Sequence, residues 1–330
     1  MGDLLNQRRA YAARRVSELR TALDGSEQLC TGKACVYTTG SFGRGEAGDH
    51  SDLDLFIVSL ATDDEPPRSK LGRLDEILIK ADLIECTRNQ TFPEFSGDGE
   101  YLVRHSVHQL VDSLGKRNDD AENTFTARLL LLLESQPLLG NEAYKEVTDN
   151  VIAAYWRDYT DHKGDFIPAF LANDILRLWR TLCVNYEAGT FTEPDEEKAK
   201  RKLKNFKLKH SRLLTCYSAL LFLLYVYESE KTVSPGKARE MVELTPTQRL
   251  EFLLRQKSLA PVHDKLSLLI GQYESFLTAS NQPKSALIAQ FLDKEQGRKL
   301  LHEASRFGNL VFDVLGEMGK SSRFHRLLVV

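Results

Sequence analysis

One stretch constrains this chain more than any other: Gly40-Ser41-Phe42-Gly43-Arg44-Gly45-Glu46-Ala47-Gly48-Asp49-His50-Ser51-Asp52-Leu53-Asp54-Leu55-Phe56-Ile57-Val58. Before it, the β-prone run Ala34-Cys35-Val36-Tyr37 ends in Thr38-Thr39. The glycines at 40, 43, 45 and 48 predict a tight turn. Leu53, Leu55 and Ile57 then alternate with Asp52, Asp54, Phe56 and Val58, which predicts a second strand. A Gly-Ser turn at a helix N-terminus offers unpaired N–H groups and a hydroxyl, both suited to a phosphate. Asp52 and Asp54 stand two apart on a strand, so their carboxylates project from one face. Carboxylates held so close repel unless a cation sits between them. Mg²⁺ fits, because it takes oxygen ligands and leaves positions open for substrate phosphates. Paired metals then clamp the attacking and leaving oxygens of an in-line displacement at phosphorus. An isolated Asp-x-Asp is common in surface turns, and an isolated glycine-rich loop is usually only a loop. It is their joint order, strand to Gly-Ser to Gly/Arg turn to Ser-Asp-x-Asp, that points to chemistry.

That order resembles the signature of the DNA polymerase β-type nucleotidyltransferase superfamily, Gly-Ser followed across a turn by Asp-x-Asp. Within it, Gly43-Arg44-Gly45-Glu46 and Ser51-Asp52-Leu53-Asp54 are most similar to the N-terminal domain of the bacterial uridylyltransferases of nitrogen signalling, which act on the PII protein. Val103-Arg104-His105-Ser106-Val107 and Ala127-Arg128-Leu129-Leu130 extend the likeness over residues 30–140, and it is dense only at 40–58. The resemblance implies a mixed sheet with flanking helices and two Mg²⁺ ions, with Mn²⁺ as a substitute. It also implies transfer of a nucleoside monophosphate from an NTP, ATP among the candidates, with release of pyrophosphate.

Carried over residue by residue, Asp52 and Asp54 match the catalytic metal-binding pair, and Gly40 and Ser41 match the turn that cradles the triphosphate. Arg44 sits where a basic side chain neutralises phosphate charge. The chain departs from the pattern at the third carboxylate, which in the superfamily activates the acceptor hydroxyl. Glu100, ahead of the strand expected at 101–107, is the expected residue, and Asp98 is its neighbour. Asp82 and Glu85 serve only if 82–86 is a strand, whereas the i, i+3, i+4 rhythm through Ile84 reads as helix. The enzymes this chain resembles continue into a metal-dependent hydrolase domain, and none is expected within residues 116–330. His263-Asp264 is the chain's His-Asp doublet, and no partner histidines stand at useful spacing.

The sequence changes character near residue 115. Ahead of it lie an amphipathic helix over 4–23, closed by Asp24-Gly25, and a helix in which Leu71, Leu74, Leu78 and Ala81 step by three and four. Beyond it the patterns are helical: 121–134, 144–159, 170–186, 202–228, 246–256, 262–277, 284–292 and 294–315. The expected architecture is α+β, a small nucleotidyltransferase-type mixed sheet at 1–115 followed by an all-α domain at 116–330 that closes the nucleotide cleft. On the helix at 170–186, Asp174 and Arg177 share a face. They read either as an i, i+3 ion pair or, with Asn173, as a wall of that cleft. Residues 198–212 hold eight Lys/Arg in fifteen positions, behind Glu193-Pro194-Asp195-Glu196-Glu197. The run reads as a charge-laced helix start, as a triphosphate contact through Lys209, or as an RNA-backbone track.

Charge nearly cancels, with 44 Lys+Arg against 47 Asp+Glu, which excludes a surface built throughout for polyanions. A protein or small-molecule acceptor is therefore favoured over a large nucleic acid. Five scattered cysteines with no C-x-x-C spacing give neither a disulfide framework nor a zinc knuckle, which fits a reducing cytoplasmic setting. The opening MGDLLNQRRAYAARR lacks an apolar signal core, and the most apolar run, 213–227, falls short of the ~18 residues that span a bilayer. The competing expectation from another class is a catalytically idle module of this fold that binds nucleotide and regulates a partner.

Overall fold

The computed structural model describes residues 3–95, 99, 102–188, 194–320 and 322–329. They form two compact units, Asp3–Arg157 and Asp158–Val330. As expected, the first is α+β and the second all-helical.

The first unit opens with α1 (Asp3–Ala22) and α2 (Asp24–Cys30). Leu5, Ala12, Val16 and Leu19 bury one face of α1. Asp24-Gly25 does not close this region but opens α2, with Asp24 and Glu27 in the first turn, where the helix dipole favours acids. Then follow β1 (Ala34–Thr39), the single turn α3 (Gly40–Gly43), β2 (Asp54–Ser59), α4 (Arg73–Asn89), β3 (Arg104–Ser106) and α5 (Val107–Asp112). Ser106 starts α5 with a capping box: its hydroxyl accepts the Gln109 N–H at 3.1 Å, and Gln109 Oε1 accepts the Ser106 N–H at 2.9 Å. The unit ends with α6 (Asn118–Ala121), α7 (Thr124–Glu134), β4 (Gln136–Leu139) and α8 (Asn141–Tyr155).

The sheet order is β3-β2-β1-β4, with β1 antiparallel to both neighbours and β2 parallel to β3. One face packs Ala34, Val36, Leu55 and Ile57 against α1, α2 and α4. On the other, Tyr37 stacks on Phe56 at 5.5 Å and donates its hydroxyl proton to the Ala127 carbonyl of α7 at 2.9 Å. Because β4 completes the sheet, this unit runs past residue 115 to Arg157. The short Gln-Pro-Leu-Leu segment of β4 does not read as a strand in sequence. Its proline is tolerated because β4 lies at the sheet edge.

In α4, the helix expected from Leu71, Leu74, Leu78 and Ala81 is present, but its buried residues are Ile79, Leu83, Cys86 and Thr87. Leu74, Leu78 and Ala81 face solvent.

The second unit contains α9 (Ala169–Ala188), α10 (Asp195–Lys207), α11 (Leu213–Glu230), α12 (Pro235–Glu243), α13 (Pro246–Leu254), α14 (His263–Ala279), α15 (Lys284–Leu292), α16 (Lys294–Met318) and α17 (Arg323–Val329). α11 is buried nearly all round, as its continuous apolar run requires, and packs against α9, α12, α13, α16 and α17. Among the described residues, no helix is long and apolar enough to cross a membrane, and all five cysteines are free thiols.

Candidate active site

Antiparallel pairing sets Thr39, the last residue of β1, opposite Asp54, the first of β2. The turn that leaves one strand and the carboxylate that enters the other therefore share one corner of the sheet. Phe42 pins the turn: it is 1% exposed and its ring centroid lies 5.6 Å from that of Phe92 in the core beneath. Leu53 and Leu55 are buried while Asp52 and Asp54 are exposed, so the alternation turns both carboxylates outward together. Ser51 ties the approach to Asp52. Its hydroxyl accepts the Gly48 N–H at 3.0 Å, and its own N–H donates to the Gly48 carbonyl at 3.0 Å.

Two glycines let these groups approach. Gly40 has φ +63°, and a Cβ there would stand 2.4 Å from Asp54 Oδ2. A Cβ on Gly43 would meet the Glu134 carbonyl oxygen at 2.0 Å. Only glycine satisfies either position.

Thr39 occupies the N-cap position of α3, where a hydroxyl ordinarily accepts a helix N–H, yet its side chain makes no capping bond. Thr39 Oγ1 and Ser41 Oγ are both buried without a hydrogen-bond partner. Two orphaned hydroxyls beside the first N–H groups of a helical turn are costly unless something else takes their hydrogen bonds. The corner thus holds two hydroxyls whose hydrogen bonds nothing in the fold takes.

Glu134, at the C-terminal end of α7, braces the turn from below. It is 2% exposed; its Oε1 accepts the Gly40 N–H at 3.1 Å and its Oε2 the Arg44 Nη1 proton at 2.9 Å. An anion at a helix C-terminus opposes the dipole, and these two donors offset that cost. α7 is itself held by Arg128, fully buried, which donates to both Asp119 oxygens at 2.9 and 2.6 Å, to Tyr155 Oη at 3.0 Å and to the Leu110 carbonyl at 2.9 Å. Burial raises the Asp119 pKa, but the hydrogen bonds and charge of Arg128 outweigh it and hold the carboxyl below its usual range.

Residues 16–95 match the family model of the nucleotidyltransferase domain.

Neither the curated proteins nor the solved structures give a match. The span matching the nucleotidyltransferase domain runs from within α1 through β1, the Gly40–Ser41 turn, β2 and α4, so it contains the corner just described. Of the expected site residues, the structure brings together Gly40, Ser41 and Asp54, and Asp52 is exposed two residues ahead of Asp54, just before β2 begins. Arg44 belongs to the same turn but points inward: it is 6% exposed, and its Nε donates to Glu46 at 2.8 Å in addition to its bond with Glu134. In this arrangement its charge is spent inside the first unit.

Glu100 and Asp98 lie outside the described residues. Asp82 and Glu85 are helical, on α4, and Asp82 accepts the Ser26 hydroxyl proton at 2.7 Å. Arg177 and Lys209 belong to the second unit. Arg177 forms the i, i+3 pair with Asp174 at 3.5 Å and lines an open cleft of about 350 Å³ with Asn173, Leu176, Arg180, Thr181 and Val184. Lys209 is half-buried in a single π-helical turn, Leu208–Arg212. The acids ahead of the basic run occupy the first turn of α10, where Lys200 pairs with Glu197 at 2.6 Å and Glu196 at 3.1 Å.

Sequence reasoning missed Glu134 and Thr39. Glu134 ends a five-leucine run that reads as core helix, and its link to Gly40 spans 94 residues.

Proposed function

We propose that this chain transfers a nucleoside monophosphate from an NTP to a hydroxyl acceptor, releasing pyrophosphate, at the corner formed by Gly40, Ser41, Asp52 and Asp54. The observation that carries the proposal is the pair of buried, unpartnered hydroxyls of Thr39 and Ser41 beside the Asp54 carboxylate. Buried hydroxyls in folded proteins are ordinarily hydrogen-bonded.

The corner offers oxygen ligands alone, and among the described residues no group of three His, Cys, Asp or Glu side chains is placed to hold a metal. Two carboxylates with substrate phosphates completing the shell are the set that suits Mg²⁺. Asp52 and Asp54 would hold two such ions, with Mn²⁺ as a substitute. When bound, the ions draw negative charge from the reacting phosphate and favour in-line displacement.

The chain's own groups do the rest. The Ser41 and Thr39 hydroxyls and the Ser41 N–H receive triphosphate oxygens. Gly40 keeps the space beside Asp54 open, and Glu134 with Arg44 holds the turn in place. Glu100 is assigned to taking the acceptor proton, on its sequence position ahead of β3. Arg177 and Lys209 are assigned to nucleotide binding on their charge and sequence positions. A protein side chain, by analogy with the nitrogen-signalling enzymes, or a small hydroxylated molecule is the acceptor favoured by the balanced charge.

The test incubates the protein with each α-labelled NTP, Mg²⁺ or Mn²⁺, and cell extract. Label should pass to one acceptor with wild type and not with the Asp52→Asn/Asp54→Asn variant. Equal labelling by that variant would refute the site, and absence of transfer with any NTP would refute the activity.

A further inference from the structure

We propose that the outward face of α9 is a polyphosphate-binding site. Arg177 and Arg180 receive the phosphoryl oxygens, flanked by the Asn173 amide and the Thr181 hydroxyl.

One side of α9 is fixed by the core of the second unit. Leu171, Ile175 and Leu178 are buried, and Trp179 meets Tyr217 of α11 edge to face, ring centroids 6.3 Å apart. The other side carries Asn173, Arg177, Arg180, Thr181 and Val184 at i, i+4, i+7, i+8 and i+11, which makes one stripe along the helix. With Leu176 these residues line the cleft of about 350 Å³. That volume falls within the roughly 300–1,000 Å³ of small-ligand sites.

The charges on this stripe do not balance. Arg177 reaches Asp174 at 3.5 Å, and Asp174 is buried, so one guanidinium is anchored from below. Arg180 is exposed one turn further on and makes no ion pair among the described residues. No acid stands three or four positions from it on either side. The basic run on α10 differs, since Lys200 there spends its charge on Glu196 and Glu197. Like charges one turn apart on a helix repel, and an anion held by both arginines removes that cost. Phosphate suits the position, because a guanidinium offers parallel N–H donors that match two phosphoryl oxygens. Residues three apart hold their Cβ atoms about 5–6 Å from each other, so charge spread along a di- or triphosphate engages both arginines. The Asn173 amide and the Thr181 hydroxyl add neutral donors beside them. This affinity is independent of the transfer reaction proposed above, whereas its use for the NTP rests on that reading.

Calorimetric titration of the full chain with inorganic tripolyphosphate in EDTA tests the site without metal at Asp52 and Asp54, and thermal melts check that each variant is folded. Arg180→Ala should weaken binding about tenfold, the worth of one hydrogen bond to a charged group. Arg180→Lys should fall between the two, since it keeps the charge and loses the fork. Arg298→Ala, which removes an exposed arginine of α16, should bind as wild type does. The proposal is overturned by a wild type that binds no tripolyphosphate, or by Arg180→Ala binding it equally well, whether or not the chain transfers label. It is equally overturned if Arg298→Ala loses as much affinity as Arg180→Ala. Competition names the source of the phosphate. Displacement by a non-hydrolysable NTP analogue, with a raised NTP KM for Arg180→Ala in label transfer, upholds the site and assigns it to the donor. Tripolyphosphate that stays bound against the analogue upholds the site and assigns it to a phosphorylated acceptor.

Discussion

Gly40 and Asp54 fit one another as space and occupant: Asp54 Oδ2 lies 2.4 Å from where a Cβ on residue 40 would stand, in a turn that Gly40 enters at φ +63°. The β1–β2 register brings them together, since Thr39 pairs with Asp54 and Gly40 follows directly. Everything proposed for the corner depends on that closeness.

Gly40→Ala should therefore harm function far more than folding. The left-handed backbone costs a non-glycine residue about 1–2 kcal/mol, which a domain of this size survives. The new methyl group must displace the Asp54 carboxylate, and misplacing a reacting group by an ångström costs about a hundredfold in rate. A thermal melt beside a label-transfer assay separates the two effects; an active Gly40→Ala protein would contradict the geometry.

Ser41→Ala offers the opposite dissociation. The Ser41 hydroxyl is buried and unpartnered, so its removal should leave stability unchanged or raise it by up to about 1 kcal/mol. The same change should weaken NTP binding about tenfold, the worth of one hydrogen bond to a charged group. Urea unfolding and nucleotide titration of one preparation provide both numbers.

Glu134→Gln removes the charge that holds Arg44 while preserving shape. The buried guanidinium then faces Glu46 with one carboxylate fewer, and the first unit should lose about 2–4 kcal/mol. The midpoint of denaturant unfolding reads this directly, and transfer activity should fall with it as the Gly40 turn loosens.

The second unit should lose stability in mild acid through His210. This imidazole is buried, stacks on Phe276 at 4.4 Å with an interplanar angle of 5°, and is held to a pKa of about 4 by desolvation, which its bond to the Phe206 carbonyl only partly opposes. An unfolded histidine titrates near 6.5, so above that pH neither state is protonated. As pH falls from about 6.5 to 4, the unfolded chain gains a proton that the folded chain refuses. Stability should drop across that window by up to about 3 kcal/mol and level off below it. Denaturant unfolding from pH 7 to 4 should show this slope in wild type and lack it in His210→Phe.

The corner at Gly40 and Asp54 was legible because its information is local. Alternation around Leu53 and Leu55 fixes which way Asp52 and Asp54 face, and the glycines fix where the chain can turn. Glu134 was not legible, since nothing in a leucine-rich helix announces that its last residue will meet a turn 94 positions earlier. Arg44 shows the limit of reading charge from position: its place in the motif points to a phosphate, but burial beside two carboxylates spends it within the fold. β4 escaped notice because four residues beginning Gln-Pro carry no strand periodicity, and its place at the edge of the sheet comes from β1. In α4 the periodicity gave the helix but not its inward side. Both faces carry aliphatic residues, and only packing against the sheet chooses Ile79 and Leu83 over Leu74 and Leu78.

Anomalous scattering from a crystal of the protein grown with Mn²⁺ and a non-hydrolysable NTP analogue tests the central claim most directly. The metal peak should lie between the Asp52 and Asp54 carboxylates, with triphosphate oxygens within hydrogen-bonding distance of the Ser41 hydroxyl. Metal and triphosphate bound elsewhere, with both carboxylates unliganded, would contradict it.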